Sequence, residues 1–212
     1  MKIPRLFHRI WLGSAIPAES DEWWQTWEQL HPGWDLVTWT EANLPRLTNQ
    51  RIYDEAETLT AGNVWQFRSD IARYELLAEH GGVYLDTDFE PRRNIEPLLG
   101  DVDCFAAWEL QDIWIANGFM GATPDHRFIG RLIEQLPSSV RENRTRRPNH
   151  ATGPRYLTRM HRRHPGEMHV LDQRHVYPYS WDELHRRAEE FPDVYAIHHW
   201  ANARRRAAQR QT

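Results

Sequence analysis

A single cysteine, Cys104, has no partner for a disulfide within the chain, and the reading expects a reducing compartment. Lysine is equally scarce. Lys2 is the sole lysine among 26 basic residues, so the positive charge is almost all arginine. No run is long and apolar enough for a membrane span, and Met1 to Trp11 shows no apolar stretch after its basic residues. Neither a signal peptide nor an anchor is read, and the expected location is cytoplasmic. Internal repeats are absent, and the arginines are not interleaved with aromatics as a nucleic-acid platform requires, which argues against nucleic acid as a partner.

What is present fits one folded unit. With 212 residues and 40% hydrophobics the chain can bury one sizeable core. The net charge of -4 hides an asymmetry: residues 1–125 hold 9 Lys+Arg against 21 Asp+Glu, and residues 126–212 hold 17 against 9. The basic half can face phosphates, an anionic acceptor or the inner face of an anionic membrane as a peripheral contact; a solvated arginine-rich exterior is the plain alternative.

Apolar spacing predicts strands alternating with helices, hence an α/β sheet. Strands are expected at Leu6 to Leu12, Trp34 to Trp39, Val83 to Leu85, Cys104 to Trp108, His169 to Leu171 and Val194 to His198, with Val176-Tyr177 extended. Helices are expected from Asp21, from Thr40, over Gln50 to Leu59 and Val64 to Glu79, from Pro124 to about Leu136, and over Thr152 to His164 and Trp181 to Glu190. Ile113 to Met120 reads as a hairpin turning at Asn117-Gly118. The polar run Ser138 to Asn149 reads as a mobile loop. Residues 1–202 form the expected domain, and residues 203–212 a frayed basic tail.

The most informative stretch is Ser69-Asp70-Ile71-Ala72-Arg73-Tyr74 followed by Gly81-Gly82-Val83-Tyr84-Leu85-Asp86-Thr87-Asp88. A glycine can take the left-handed conformation that ends a helix, so Gly81-Gly82 closes the first segment. Asp86 and Asp88 are two apart, and strand alternation puts them on one side, where they can share a hard divalent cation. They emerge where an apolar strand leaves the core, the end at which open α/β sheets bind ligands. Asp70 and Arg73 share a helix face.

Together with Ile3 to Gly13, these segments resemble the sugar-transferase family with a DXD motif, which includes yeast-type α-1,6-mannosyltransferases, capsular polysaccharide enzymes and, more distantly, glucosylating bacterial toxins. The likeness continues through Asn117, Pro124 and Thr152-Gly153-Pro154 to His198-His199-Trp200. It implies a GT-A-like single domain with a mixed, mostly parallel sheet flanked by helices. It further implies a UDP- or GDP-linked sugar donor, a Mn²⁺ or Mg²⁺ ion, a glycan or other hydroxyl acceptor, and transfer of a hexose with retention of configuration. By the resemblance, Asp70 and Arg73 reach the donor sugar or its phosphates, Trp11 stacks on the nucleobase, and His198 is a candidate third metal ligand. Trp11 is equally readable as core and His198 as a strand-end histidine. Asn117 either caps a turn or contacts donor hydroxyls, and Tyr84 either packs in the core or faces the donor with Asp86. His8 reads as a satisfied strand histidine. The family's C-terminal Ser-Trp pair is missing, with Arg204 to Arg206 offering positive charge in its place.

Two other readings use the same letters. Haloacid-dehalogenase-type phosphatases also carry Asp-x-Asp after an apolar strand, but here Phe89-Glu90-Pro91 follows it and Asp70 and Arg73 would have no role. A non-catalytic carbohydrate-binding protein would use some of the 11 tryptophans to stack on sugars, and would leave the paired carboxylates unexplained.

Overall fold

Residues 2–209 are described by a computed structural model. Its main sheet holds β1 (Leu6–Ile10), β2 (Asp35–Trp39), β3 (Gly82–Leu85), β5 (Cys104–Leu110), β6 (Trp114–Ala122) and β7 (His169–Leu171), in the order β2-β1-β3-β6-β5-β7. β1 runs parallel to β2 and β3, and β5 parallel to β7, whereas β6 is antiparallel to both β3 and β5. A separate antiparallel pair joins β4 (Phe89–Pro91) to β8 (Ala196–His198).

Alternation along the central strand divides the core in two. Tyr84 joins Ile71, Tyr74, Leu77, Phe128 and Leu157 on one face, under α4 (Val64–His80), α6 (Arg127–Glu142) and α8 (Pro154–Arg163). Val83 and Leu85 join Phe7, Trp27, Trp34, Phe89, Phe105 and Phe119 on the other, under α1 (Ala18–Leu30) and the β4–β8 pair. Both faces are covered, as suits a sheet with parallel crossovers. Of the tryptophans in α1, Trp27 is buried and donates to the Phe89 carbonyl.

α4 starts at Asn63, whose side chain accepts from the Trp65 and Gln66 amides, and stops at Gly81 with φ +65°. Gly82 follows at φ +89°, and a Cβ there would lie 2.5 Å from the Leu6 carbonyl, so only glycine lets α4 turn directly into β3 beside β1.

Several boundaries differ from expectation. Asn117-Gly118 lies inside the continuous strand β6, and the chain reverses at Gln111 to Ile113. The run expected as a mobile loop is largely helical: α6 continues through Glu142 and α7 spans Pro148–Ala151. Pro137 sits inside α6 because the carbonyl it leaves unbonded, Ile133, accepts from the Asn49 amide at 3.1 Å. The expected helix over 50–59 breaks into α2 (Gln50–Asp54) and α3 (Ala56–Leu59), and Thr40 opens only a turn. Val176-Tyr177 joins no strand, and Trp181 to Glu190 holds only a 3₁₀ turn at Leu184–Ala188. α9 covers Ala201–Gln209, across the boundary expected at residue 203; residues 210–212 lie outside the described residues. α5 (Glu96–Leu99) completes the helices.

Candidate active site

Of three buried charged side chains on α4, Glu75 is held by the Thr48 and Asn49 amides, while Asp70 and Arg73 turn toward Asn117. Asp70 is 1% and Arg73 3% exposed. Arg73 is saturated with partners: Nη1 donates to the Asn117 carbonyl at 2.6 Å and lies 3.2 Å from Asp86 Oδ1, Nη2 lies 3.2 Å from Asp70, and Nε donates to the Ser69 carbonyl. The guanidinium stands 4.3 Å over the Tyr84 ring. Burial opposes its charge, but Tyr84, Asp86 and Asp70 outweigh burial and keep it a fixed cation.

Asp70 sits behind that cation. Its Oδ1 accepts from Asn117 Nδ2 at 2.9 Å and its Oδ2 from Thr152 Oγ1 at 2.8 Å, while Tyr74 links the same groups through Asn117 Nδ2 and the Thr152 carbonyl. Burial raises the Asp70 carboxyl, with Arg73 and the two hydrogen bonds opposing. Every oxygen is engaged within the protein, so Asp70 orients Arg73 and Asn117. Asn117 is likewise a buried strand residue, not a turn cap.

Asp86 and Asp88 converge through a turn after β3, not through strand alternation, with the Phe89 amide donating to the Asp86 carbonyl. Asp86 Oδ1 accepts from the Tyr84 hydroxyl at 2.9 Å, so Tyr84, on the α4 side of the sheet, holds Asp86 from beneath. The β4–β8 pair sets Phe89 opposite His198 and so delivers the histidine from over 100 residues away. His198 Nε2 lies 3.0 Å from Asp88 Oδ1 and 3.9 Å from Asp86 Oδ2. Asp88 Oδ2 accepts from the Ala201 amide at the start of α9. Burial would raise the Asp88 carboxyl, but His198 and the Ala201 amide hold it below the usual carboxylate range; His198 is raised in turn, Asp88 outweighing burial.

One ligand atom from each of Asp86, Asp88 and His198 lies within 4.8 Å of the others. Two carboxylates and an imidazole suit a small oxygen- and nitrogen-seeking divalent ion such as Mg²⁺ or Mn²⁺, so the residues fit the metal that the DXD spacing suggested.

Trp11 is partly exposed just beyond β1, with Nε1 donating to the Ser14 carbonyl. Trp65, which sequence reasoning did not single out, is 42% exposed on the first turn of α4, and a Cβ on Gly13 would lie 2.6 Å from its ring. The two indoles thus flank the end of β1. Where the family's Ser-Trp is missing, Arg204 pairs with Glu19 of α1 and Arg205 with Asn202; the side chain of Arg206 lies outside the described residues.

Residues 17–113 match the family model described as a glycosyltransferase sugar-binding region containing a DXD motif. Over that stretch the chain is similar to the sugar-binding region of the DXD glycosyltransferases. That region includes Asp70, Arg73, Tyr84, Asp86 and Asp88; Trp11, Asn117 and His198 lie outside it. Inositol phosphoceramide mannosyltransferase 1 of Schizosaccharomyces pombe is 28% identical over 164 residues, covering 74% of this chain and 50% of its own length. The chain therefore spans about half of that relative. Among solved structures, the PaToxG glycosyltransferase superposes with a TM-score of 0.65 at 15% identity, covering 77% of this chain and 71% of the other. The galactosyltransferase LgtC, in complex with donor and acceptor sugar analogs, does so with 0.56 at 15%, covering 91% and 86%. The fold is GT-A: a single domain with a mixed, mostly parallel six-stranded sheet flanked by helices.

Proposed function

We propose that this chain is a metal-dependent, retaining glycosyltransferase that moves a hexose from a UDP- or GDP-linked donor to a hydroxyl of a glycan or other acceptor. The observation that carries the reading is the Asp86–Asp88–His198 cluster beside the buried Arg73 cation. Asp86, Asp88 and His198 would hold the ion, which when bound supplies positive charge to the diphosphate leaving group. Arg73, already fixed by four partners, adds preorganised positive charge on the same side at no reorganisation cost. Trp11, with Trp65 nearby, is the candidate nucleobase wall.

The resemblance implies retention, and the engagement of three of the nearby carboxylates supports it. Asp70 is fully engaged, and Asp86 and Asp88 belong to the cation site. Of the two carboxylates that could instead act as a base behind the anomeric carbon, Asp112 lies exposed in the β5–β6 turn, accepting from Gln111, whereas Glu109 faces His198 and Asp86, so a β product would point to Glu109. The acceptor hydroxyl then approaches on the face that the diphosphate leaves. The new C–O bond forms as the bond to phosphate breaks, and the hydroxyl proton passes to a departing phosphate oxygen. The fission-yeast relative's name makes mannose the first sugar to try. Among the described residues no helix is long and apolar enough to cross a membrane; the location proposed is cytoplasmic, with the basic C-terminal half as a peripheral contact at the inner membrane face.

A hydrolysis and transfer screen of UDP- and GDP-hexoses with Mn²⁺ tests the reading. Donor consumption should vanish with EDTA and return with Mn²⁺ better than with Ca²⁺, and proton NMR of the first product from an α-linked donor should show the α anomer. Full turnover in metal-free buffer removes the metal, a β product removes the retaining route, and no turnover of any donor removes the transferase.

A further inference from the structure

The two oxygens of Asp86 face different sides of the site. Oδ1 belongs to Tyr84 and Arg73, on the α4 side. Oδ2 faces His198 and Gly118, and on that side Glu109 and Tyr177 carry polar groups without a partner among the described residues.

One is Glu109. Trp108 pairs with Ile115 and Leu110 with Trp114, so Glu109 is an extra residue on β5, a bulge of the kind that re-aims a side chain. Its partly buried carboxylate has no hydrogen bond or ion pair among the described residues. Burial pushes the carboxyl up to about 6; among its neighbours, His198 favours the charge and Asp86 opposes it. Just beyond the bulge the strand opens to solvent, with Leu110 40% exposed.

The other is Tyr177, only 1% exposed and packed edge-on against Phe89 and His198, whose hydroxyl has no partner. Burial first, then Asp86, Glu109 and Asp88, keep that phenol protonated, so it is a standing donor. A Cβ on Gly118 would lie 2.5 Å from Asp86 Oδ2 and 3.3 Å from the Tyr177 oxygen, so glycine leaves nothing between the hydroxyl and the carboxylate. The segment bearing Tyr177 is tied to the end of β5: its amide donates to the Gln173 carbonyl, and the Gln173 side chain accepts from the Gln111 amide at 2.8 Å. An orphaned buried hydroxyl and an unpartnered carboxylate each cost free energy unless a ligand satisfies them.

We propose that Glu109 and Tyr177 form the acceptor subsite, the carboxylate accepting from and the phenol donating to hydroxyls of a sugar or cyclitol acceptor other than the one that reacts. An acceptor-only group beside a donor matches a polyol, whose hydroxyls do both. The proposal rests on the transferase reading, and the negative charge of a Glu109 carboxylate, which repels the donor's phosphates, assigns the pair to the acceptor.

Saturation-transfer NMR with methyl α-D-mannopyranoside, methyl β-D-galactopyranoside and myo-inositol, each with and without UDP or GDP and Mg²⁺, tests it. At least one probe should bind the wild-type chain, and Glu109→Ala and Tyr177→Phe should each weaken it about tenfold or more. The nucleotide Kd should stay within about twofold. Glu109→Gln, which keeps the shape and loses the charge, should fall between. Tyr177→Phe should not lower the melting temperature, because the hydroxyl it removes has no partner. Wild-type affinity in both variants, no probe bound by the wild type, or an equal loss of nucleotide affinity would overturn the proposal. Failure of the transferase reading is separate: it appears as absent donor turnover and absent nucleotide binding.

Discussion

Arg73 draws its importance from being used at every nitrogen. The Asn117 and Ser69 carbonyls take its N–H groups, Asp86 and Asp70 pair with its charge, and Tyr84 takes its face. A lysine keeps the charge but offers one ammonium point, so Arg73→Lys leaves the Asn117 carbonyl or Asp70 short of a buried donor. Donor turnover in Arg73→Lys should fall on the order of 100-fold, the size of losing one preorganised donor; wild-type kinetics would make the residue a scaffold. The charged members of this constellation are legible as letters because they are close in sequence: Asp70 with Arg73, Asp86 with Asp88. What holds them is not. The Thr152 hydroxyl on Asp70 lies 82 residues away, and the main contact of Arg73 is a backbone carbonyl, which carries no residue type. The role of Asp70 toward the donor is what the resemblance implies; the structure shows its carboxylate buried against Asn117, Thr152 and Arg73.

At the scale of elements, misreadings came from single residues whose neighbours lie elsewhere. Asn117-Gly118 has turn composition, yet β6 runs straight through it, because Asn117 is spent on Asp70 and Tyr74 and Gly118 admits Asp86. Helix α6 outlasts Leu136 because Val140 is buried and Asn49 satisfies the carbonyl that Pro137 frees. Val140 continues the four-residue spacing of Leu132 and Leu136, so that signal was present in the sequence; the compensating Asn49 was not recognisable. The compensation can be measured as an interaction between two sites. Asn49→Ala should cost about 1 to 2 kcal/mol, since it strips Ile133 and one contact to the Glu75 carboxylate. In a Pro137→Ala background, where residue 137 regains an N–H for Ile133, the same change should cost about 1 kcal/mol less. Strict additivity in urea unfolding would show that Asn49 acts only through Glu75.

For the whole molecule, one histidine links the folding equilibrium to pH. His8 is fully buried on β1; its Nε2 donates to the Gly81 carbonyl at 2.8 Å, and its Nδ1 accepts from Trp39 Nε1 at 3.0 Å. The ring thereby ties β1 to the α4–β3 junction on one side and to β2 on the other, in the neutral form alone. Protonation would set a second N–H against the Trp39 indole N–H, with the His80 ring stacked 6.0 Å away. Burial, opposed by the Gly81 bond, lowers the His8 pKa from 6.5 to about 4. With the native value below the unfolded one, the unfolded chain takes up the proton first as pH falls. Stability therefore decreases as pH falls from 6.5 and stops decreasing on this account near 4, a loss of roughly 3 kcal/mol. Carboxylates titrate across the lower part of that window, so the variant comparison is the informative one. His8→Phe loses two hydrogen bonds and starts from a lower baseline, but its unfolding free energy should vary less steeply with pH between 6.5 and 4, by about one proton. Urea unfolding at half-unit pH steps reads this directly: parallel curves for the two proteins would mean that His8 is charged in the native sheet and that the Trp39 bond is not formed as described.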